Sequence, residues 1–199
     1  PHVLCNGKTS AGTRASKVRV KTVRGRTAVT EVDAFDSINA EPLARVEGGG
    51  VILNSALHEE YLESLLPTDG LRPELNTSIA VLKFFPGMSG EVIEVLAQRF
   101  SGLILESYGL GGVPKYLFEA VRKAAELGRR ILVLTQVAYP YTDLGEYEVG
   151  ARLRGLPNIY EAGDMTREAA IMKFAWALAQ EDPDAVMKHC YRFECRTAR

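Results

Sequence analysis

Two hydrophobic rhythms divide the chain. Between Ser16 and Val32 apolar and polar residues alternate with period two, as SKVRVKTV and then AVTEV, broken by Arg24-Gly25-Arg26-Thr27. That pattern predicts a β-hairpin with one solvated, basic face. Beyond residue 78 the apolar residues come in solid blocks. Ile79–Phe85, Leu103–Leu105 and Ile131–Leu134 read as buried strands. The first is apolar but for Lys83, the habit of a parallel strand covered on both faces. Between these blocks a helical period takes over. Ser89 caps a helix carrying Val92, Ile93, Val95, Leu96 and Phe100, with Glu91 in its first turn and Val92, Leu96 and Arg99 sharing a face. A second helix runs from about Lys115 to Leu127 and stops at Gly128. Strands joined through helices are parallel, so a three-strand parallel α/β core is expected.

The flanks are less regular. His2–Leu4 enters an Asn6-Gly7 turn, and Asp33–Asn39 reads as a turn-rich segment anchored by Phe35. Gly48-Gly49-Gly50 reads as a flexible turn before a strand at Val51–Leu53, and no Lys-Ser/Thr pair follows to make it a P-loop. His58–Leu66 has room for a helical turn or two. Turn formers crowd at residues 67–73 and mark a domain boundary. Residues 155–160 return through a short extended piece. Asp164 or Thr166 then caps a last major helix packed through Ile171, Phe174, Ala175 and Leu178. Trp176 is off that stripe and is expected to meet a second layer or a partner. A short helix starts at Asp182-Pro183, and a polar, basic tail ends the chain. The fold class is α/β: a small parallel-sheet domain with flanking helices, preceded by strands that include a β-hairpin.

In open α/β sheets ligands gather beyond the carboxyl ends of the strands. Two loops occupy that place: the Gly-rich turn with Gly109, Gly111, Gly112 and Pro114, and the segment that begins at Thr135-Gln136. Charge adds little. The chain has 199 residues and a formal net charge of -1, so nothing global draws it to nucleic acid. A basic run from Lys8 to Arg26 has no interleaved aromatic residues for base stacking. Three cysteines, an odd number, argue against a disulfide scaffold and favour a reducing, cytoplasmic setting. No apolar run approaches a membrane span. His189, Cys190 and Cys195 lack the partners of a metal site, and no cofactor is expected.

No catalytic constellation stands out. None of the histidines, His2, His58 and His189, sits in a hydrolase pattern, and Ser107 lacks the G-x-S-x-G frame. The glycines after Ser107 are explained by a tight strand-to-helix loop. Polar residues do gather at the strand ends, among them Glu106, Tyr108, Thr135, Gln136, Asp143, Glu146 and Glu148.

Several motifs in order carry a family resemblance. Cys5-Asn6-Gly7-Lys8 with Gly12–Lys17, Asp33–Ser37, Lys83–Met88, Glu106–Pro114, Leu134-Thr135-Gln136 with Tyr147–Gly150, and Gly163–Ala170 resemble successive segments of the L-asparaginases of the bacterial cytoplasmic (type I) class. The match extends to about Leu178. It implies that residues 1–66 are the final strands of a larger amino-terminal α/β domain, and 67–199 the complete carboxyl-terminal one. The nucleophilic threonines and the Asp–Lys pair of the family would lie in a missing amino-terminal part. The resemblance further implies a homo-dimer or tetramer in which this chain walls a neighbour's active site, with L-asparagine as the substrate. Two departures stand out: Gly112 occupies the place of an asparagine in many members, and Glu106 that of an arginine which reads an allosteric asparagine in some.

Tyr108, Gly112 and Asp143 are accordingly expected at the rim of a shared site, with no catalytic residue inside the chain. A tyrosine hydroxyl and a carboxylate can both accept from a substrate α-ammonium, the carboxylate better. Asp143 has a competing reading as the cap of a turn at Gly145, and Glu146 and Glu148 remain substitutes. Three functions stay open: part of an asparaginase, a non-catalytic domain of that kind, and a fragment of the glutamine-amidase subunit of a transfer-RNA-dependent amidotransferase. By itself the chain is expected to hydrolyse neither amide and to require a partner surface.

Overall fold

A computed structural model describes residues 2–24, 29–57, 59, 72–137 and 141–190, with the backbone alone at 19–24, 29–33 and 188–190. The chain divides into two compact units, Pro1–Leu65 and Leu66–Arg199.

The first unit is mostly β, with helix at residues 55–57 and 59. Its strands are β1 (His2–Cys5), β2 (Lys8–Ala11), β3 (Ala15–Arg24), β4 (Val29–Ser37), β5 (Ala44–Glu47) and β6 (Gly50–Leu53). An antiparallel sheet has the order β1-β2-β5-β6, and β3 and β4 form a separate ribbon. Asn6-Gly7 and Gly48-Gly49 close two hairpins with both central residues at positive φ, the conformation a two-residue hairpin turn demands. The predicted hairpin is the β3–β4 ribbon. Its turn and the side chains of its basic face lie outside the described residues, as do nearly all of His58–Leu66 and residues 67–71.

Asp33–Ser37 is strand, not turn. Its composition suggested otherwise, but cross-strand partners hold it extended. Phe35 faces Lys17, whose ammonium lies 5.0 Å from the ring centre, and Asp36 pairs with Lys8 at 3.5 Å. Phe35 is half-buried, so it anchors the ribbon rather than a core.

The second unit alternates strand and helix. It contains β7 (Ile79–Lys83), α1 (Gly90–Arg99), β8 (Gly102–Ser107), α2 (Lys115–Glu126), β9 (Arg130–Thr135), α3 (Glu148–Arg154), β10 (Ile159–Glu161), α4 (Arg167–Ala177) and α5 (Pro183–Cys190). The strands form one parallel sheet in the order β10-β9-β8-β7. The core therefore has four strands rather than three. The extended piece at Ile159–Glu161 adds to the free edge of β9, with Ile159 opposite Ile131.

The solid apolar blocks resolve into two alternating faces. Leu103, Leu105, Ile131 and Val133 join α1 and α2 through Ile93, Ala97, Leu117 and Val121. Ile104, Leu132 and Leu134 face the other way, onto Ala170, Phe174 and Ala177 of α4 and Met187 of α5. β8 is buried throughout, but β7 is not covered on both faces. It has a single neighbour in the sheet, and Val81 is 46% exposed.

Three helix readings change. In α1 the buried stripe is Ile93 and Ala97, whereas Val92 and Val95 are exposed; small Ala97 carries the contact that larger residues suggested elsewhere. In α4 the seam is Ala170, Phe174 and Ala177, with Ile171 only partly buried. Trp176 meets its own chain: the indole N–H donates to the Arg72 carbonyl at 2.8 Å. Gln180 completes that attachment by accepting from the Arg72 N–H at 2.9 Å and donating to the same carbonyl at 3.0 Å. The caps are as expected. The Ser89 hydroxyl accepts from the Glu91 N–H, Thr166 from Ala169, and Gly128 ends α2 at φ +76°.

Candidate functional site

The loop after β8 is closed by its own backbone. Tyr108 and Gly112 exchange hydrogen bonds, Tyr108 N–H to the Gly112 carbonyl at 3.3 Å and Gly112 N–H to the Tyr108 carbonyl at 2.8 Å. The adjacent glycines differ in what they require. Gly111 sits at φ +125°, and a Cβ there would lie 2.7 Å from Leu144 Cδ2. A Cβ at Gly112 would meet only ordinary contacts, Val149 Cγ2 at 3.5 Å and the Tyr108 carbonyl at 3.6 Å. The Tyr108 ring packs near Phe84, 6.4 Å between centres. Its hydroxyl oxygen is buried without a hydrogen-bond partner among the described residues. Burial, and then the nearby Tyr116, raise the phenol pKa above its ordinary value, which keeps it neutral.

The loop after β9 is bound to the strand ends. The Thr135 hydroxyl donates to the Gly109 carbonyl and accepts from the Val137 N–H. Gln136 Nε2 donates to the carbonyls of Phe84 and Glu106, both at 2.8 Å, and the Gln136 N–H reaches the Ser107 carbonyl at 2.9 Å. One glutamine thus joins the carboxyl ends of β7, β8 and β9. Ser107, fully buried, donates to the Leu134 carbonyl at 2.8 Å. The Glu106 carboxylate is also buried, and Arg167 at the start of α4 stands 3.5 Å from both of its oxygens.

A third segment brings in Asp143. Its N–H donates to the Leu110 carbonyl at 2.8 Å, so it is hydrogen-bonded directly to the Gly-rich loop. Asp143 Oδ1 accepts from the Gly145 N–H at 2.7 Å and from Arg154 Nη2 at 2.9 Å. Arg154 also grips Glu161, Nε to Oε1 at 2.6 Å and Nη2 to Oε2 at 3.0 Å. Glu161 Oε2 accepts in addition from the Leu144 N–H at 2.9 Å. Hydrogen bonding to Glu161 first, and the charges of Glu161 and Asp143, raise the Arg154 pKa and hold the guanidinium protonated. Gly150 is required by close packing, since a Cβ there would lie 2.5 Å from the Leu144 carbonyl, whereas a Cβ at Gly145 would displace the Arg154 guanidinium.

Tyr108, Gly112 and Asp143 thus lie in two loops joined by backbone hydrogen bonds beyond the same strand ends. The turn at Gly145 that competes for Asp143 is present and occupies one carboxylate oxygen. Of the substitutes, Glu148 pairs with Arg152 at 2.7 Å and Glu146 is exposed. Arg154 and Glu161 were missed by sequence reasoning. They enter the site through α3 and β10, neither of which local periodicity revealed. Among the described residues no three His, Cys, Asp or Glu side chains could hold a metal, and no helix is long and apolar enough to cross a membrane.

This architecture has known counterparts. The Glutaminase/Asparaginase C-terminal domain family matches residues 78–190. An L-asparaginase of Thermococcus kodakarensis is 34% identical over 180 residues, covering 89% of this chain and 50% of that protein. A glutamyl-tRNA(Gln) amidotransferase subunit of Aeropyrum pernix is also 34% identical, over 152 residues, 74% of this chain and 34% of its own length. Among solved structures, the thermostable L-asparaginase from Thermococcus kodakarensis superimposes with a TM-score of 0.69 at 32% identity, covering 98% of this chain and 56% of that one. L-asparaginase I from Vibrio cholerae gives 0.70 at 25% identity, with 98% and 57% covered. The chain spans between a third and a little over half of these relatives. With the match covering most of its parallel-sheet unit, the chain belongs to the glutaminase/asparaginase family and carries its C-terminal domain.

Proposed function

We propose that the chain is part of an amide hydrolase that converts L-asparagine to L-aspartate and ammonia, and that it supplies a wall of the active site rather than the nucleophile. The supporting observation is the pair of loops beyond β8 and β9, which presents a carboxylate, Asp143, in a chain 34% identical over 180 residues to an L-asparaginase. Residues 1–66 are the last strands of an amino-terminal asparaginase domain in this reading, and 67–199 the carboxyl-terminal domain. The active threonines lie outside the chain, in a cytoplasmic homo-dimer or tetramer. Tyr108 braces the Gly-rich loop, Gly112 lines it, and Asp143 receives the substrate α-ammonium.

The test expresses the complete reading frame that contains the chain and measures ammonia released from asparagine and from glutamine. Asparagine is expected to be preferred, and the 199-residue chain alone is expected to release none. Replacing Asp143 by Asn or Ala should cost roughly 2 kcal/mol in kcat/KM, about thirtyfold. Unchanged kinetics with lower thermal stability would reduce Asp143 to a turn cap. The equal identity to an amidotransferase subunit supports a second reading, in which glutamine is preferred and hydrolysis depends on a partner that binds transfer RNA.

A further inference from the structure

We infer that Arg154 and Glu161 are the positioning pair that makes Asp143 a one-sided anion for a substrate ammonium, Arg154 fixing Oδ1 and Glu161 offsetting the arginine's charge. The inference rests on the asparaginase reading and deepens it. Asp143 Oδ1 carries two hydrogen bonds, from Gly145 and Arg154, whereas Oδ2 accepts none among the described residues. The Asp143 side chain is 25% exposed. One oxygen is therefore committed to the fold and the other remains for a ligand.

The charge count decides what that oxygen can do. Asp143 and Arg154 alone would form a neutral pair with little attraction for an ammonium. Glu161 adds a second carboxylate and takes two guanidinium hydrogen bonds to Asp143's one; two carboxylates against one guanidinium keep a single negative charge at the rim. Arginine suits this role because its planar fork reaches two carboxylates at fixed angles, which a lysine ammonium does not. Glu161 also receives the Leu144 N–H, and Asp143 donates its own N–H to Leu110. The device is thus anchored to β10 and to the Gly-rich loop at once. A purely structural brace would make the same contacts. It would not need the charge of Glu161 to be balanced against that of Asp143.

Three variants of the complete protein separate these roles, with KM and kcat for asparagine as the readout and amide exchange at Leu144 and Gly145 as a check on the loop. Glu161→Gln keeps an acceptor for the Leu144 N–H and leaves Arg154 undivided on Asp143. KM should rise about tenfold, with kcat within about twofold and exchange little changed. Glu161→Asp keeps the charge and should hold KM near that of the parent even if stability falls. Arg154→Met combined with Glu161→Gln restores the single negative charge and should recover most of the lost KM. A KM within about twofold of the parent in Glu161→Gln overturns the inference while leaving the asparaginase reading intact. So does an equal rise in Glu161→Asp, or no recovery in the double variant. A parent that hydrolyses no asparagine overturns the reading itself, and the inferred substrate contact with it.

Discussion

Replacing Gly102 by alanine tests how tightly the sheet packs on α4. Gly102 opens β8, and a Cβ there would fall 2.6 Å from Leu178 Cδ1 and 2.7 Å from Phe174 Cε1. Carbon atoms pack best near 3.5–4.0 Å, so each contact is short by about 1 Å. Phe174 is fully buried and Leu178 nearly so, which leaves neither free to swing aside. Overpacking of this kind costs about 1–3 kcal/mol. Gly102 is not at positive φ, so alanine also stiffens the unfolded chain and returns about 0.4–1 kcal/mol. The net expectation is a loss of about 1–2 kcal/mol. Trp176 is the chain's single tryptophan and lies on α4 between those two residues, so its emission reports on this unit. With a urea m-value of about 1–3 kcal/mol per molar, the midpoint should fall by roughly 0.3–2 M. Phe174→Leu in the same chain should relieve the clash, making the double variant less destabilised than the sum of the two. A Gly102→Ala protein as stable as the parent, or strict additivity in the double variant, would refute the packing argument.

Two further outcomes follow from the site and the sheet edge. Gly111→Ala should destabilise the parallel-sheet unit by about 1–3 kcal/mol, from positive φ and the 2.7 Å approach to Leu144, while Gly112→Ala should leave the melting temperature nearly unchanged; thermal unfolding of the pair measures the contrast. Tyr160 donates to Asp184, which also accepts from Arg130 at 2.8 Å and 3.0 Å, and burial followed by the Asp184 bond raises its pKa well above the usual tyrosine value. Because the unfolded phenol releases its proton near about pH 10 and the folded one does not, Tyr160's contribution is fully present below about pH 10 and lost as pH rises beyond it. Tyr160→Phe should therefore show a weaker fall in urea midpoint between about pH 9 and 11 than the parent.

The solid blocks at 103–105 and 131–134, the caps at Ser89 and Thr166 and the stop at Gly128 were legible because each rests on chemistry within a few residues. What lay beyond them depended on neighbours distant in sequence. Ile159–Glu161 is too short to show a period, and it becomes a strand because β9 would otherwise leave an edge unpaired. Ala97 outranks Val92 on α1 because it lies four residues from Ile93 on the face turned to the core, and apolar size alone does not say which face that is. The solidity of Ile79–Phe85 implied cover on both faces, but position in a sheet is not written in one strand. The two candidate loops followed from the topology alone. Whether their polar residues meet a ligand or the backbone did not, since threonine and glutamine serve either purpose.

In the folded chain most of those polar residues are already engaged. The Thr135 hydroxyl donates to Gly109 and accepts from Val137, Ser107 donates to Leu134, and Gln136 secures two carbonyls. These are the groups at the strand ends that could have acted as nucleophile or oxyanion donor, and each is committed to holding the loops in place. Glu106 faces Arg167, and the Tyr108 hydroxyl is enclosed. Asp143 has one oxygen fixed by Gly145 and Arg154 and the other to spare, and a carboxylate that accepts hydrogen bonds can hold an ammonium but does not by itself open an amide. A braced rim that offers a positioned carboxylate acceptor is the chemistry expected of a wall that completes a site whose reacting groups come from elsewhere. It also makes the proposed division of labour specific: changes at Asp143, Arg154 or Glu161 should alter how asparagine is held, and the rate of the chemical step should be governed by residues outside this chain.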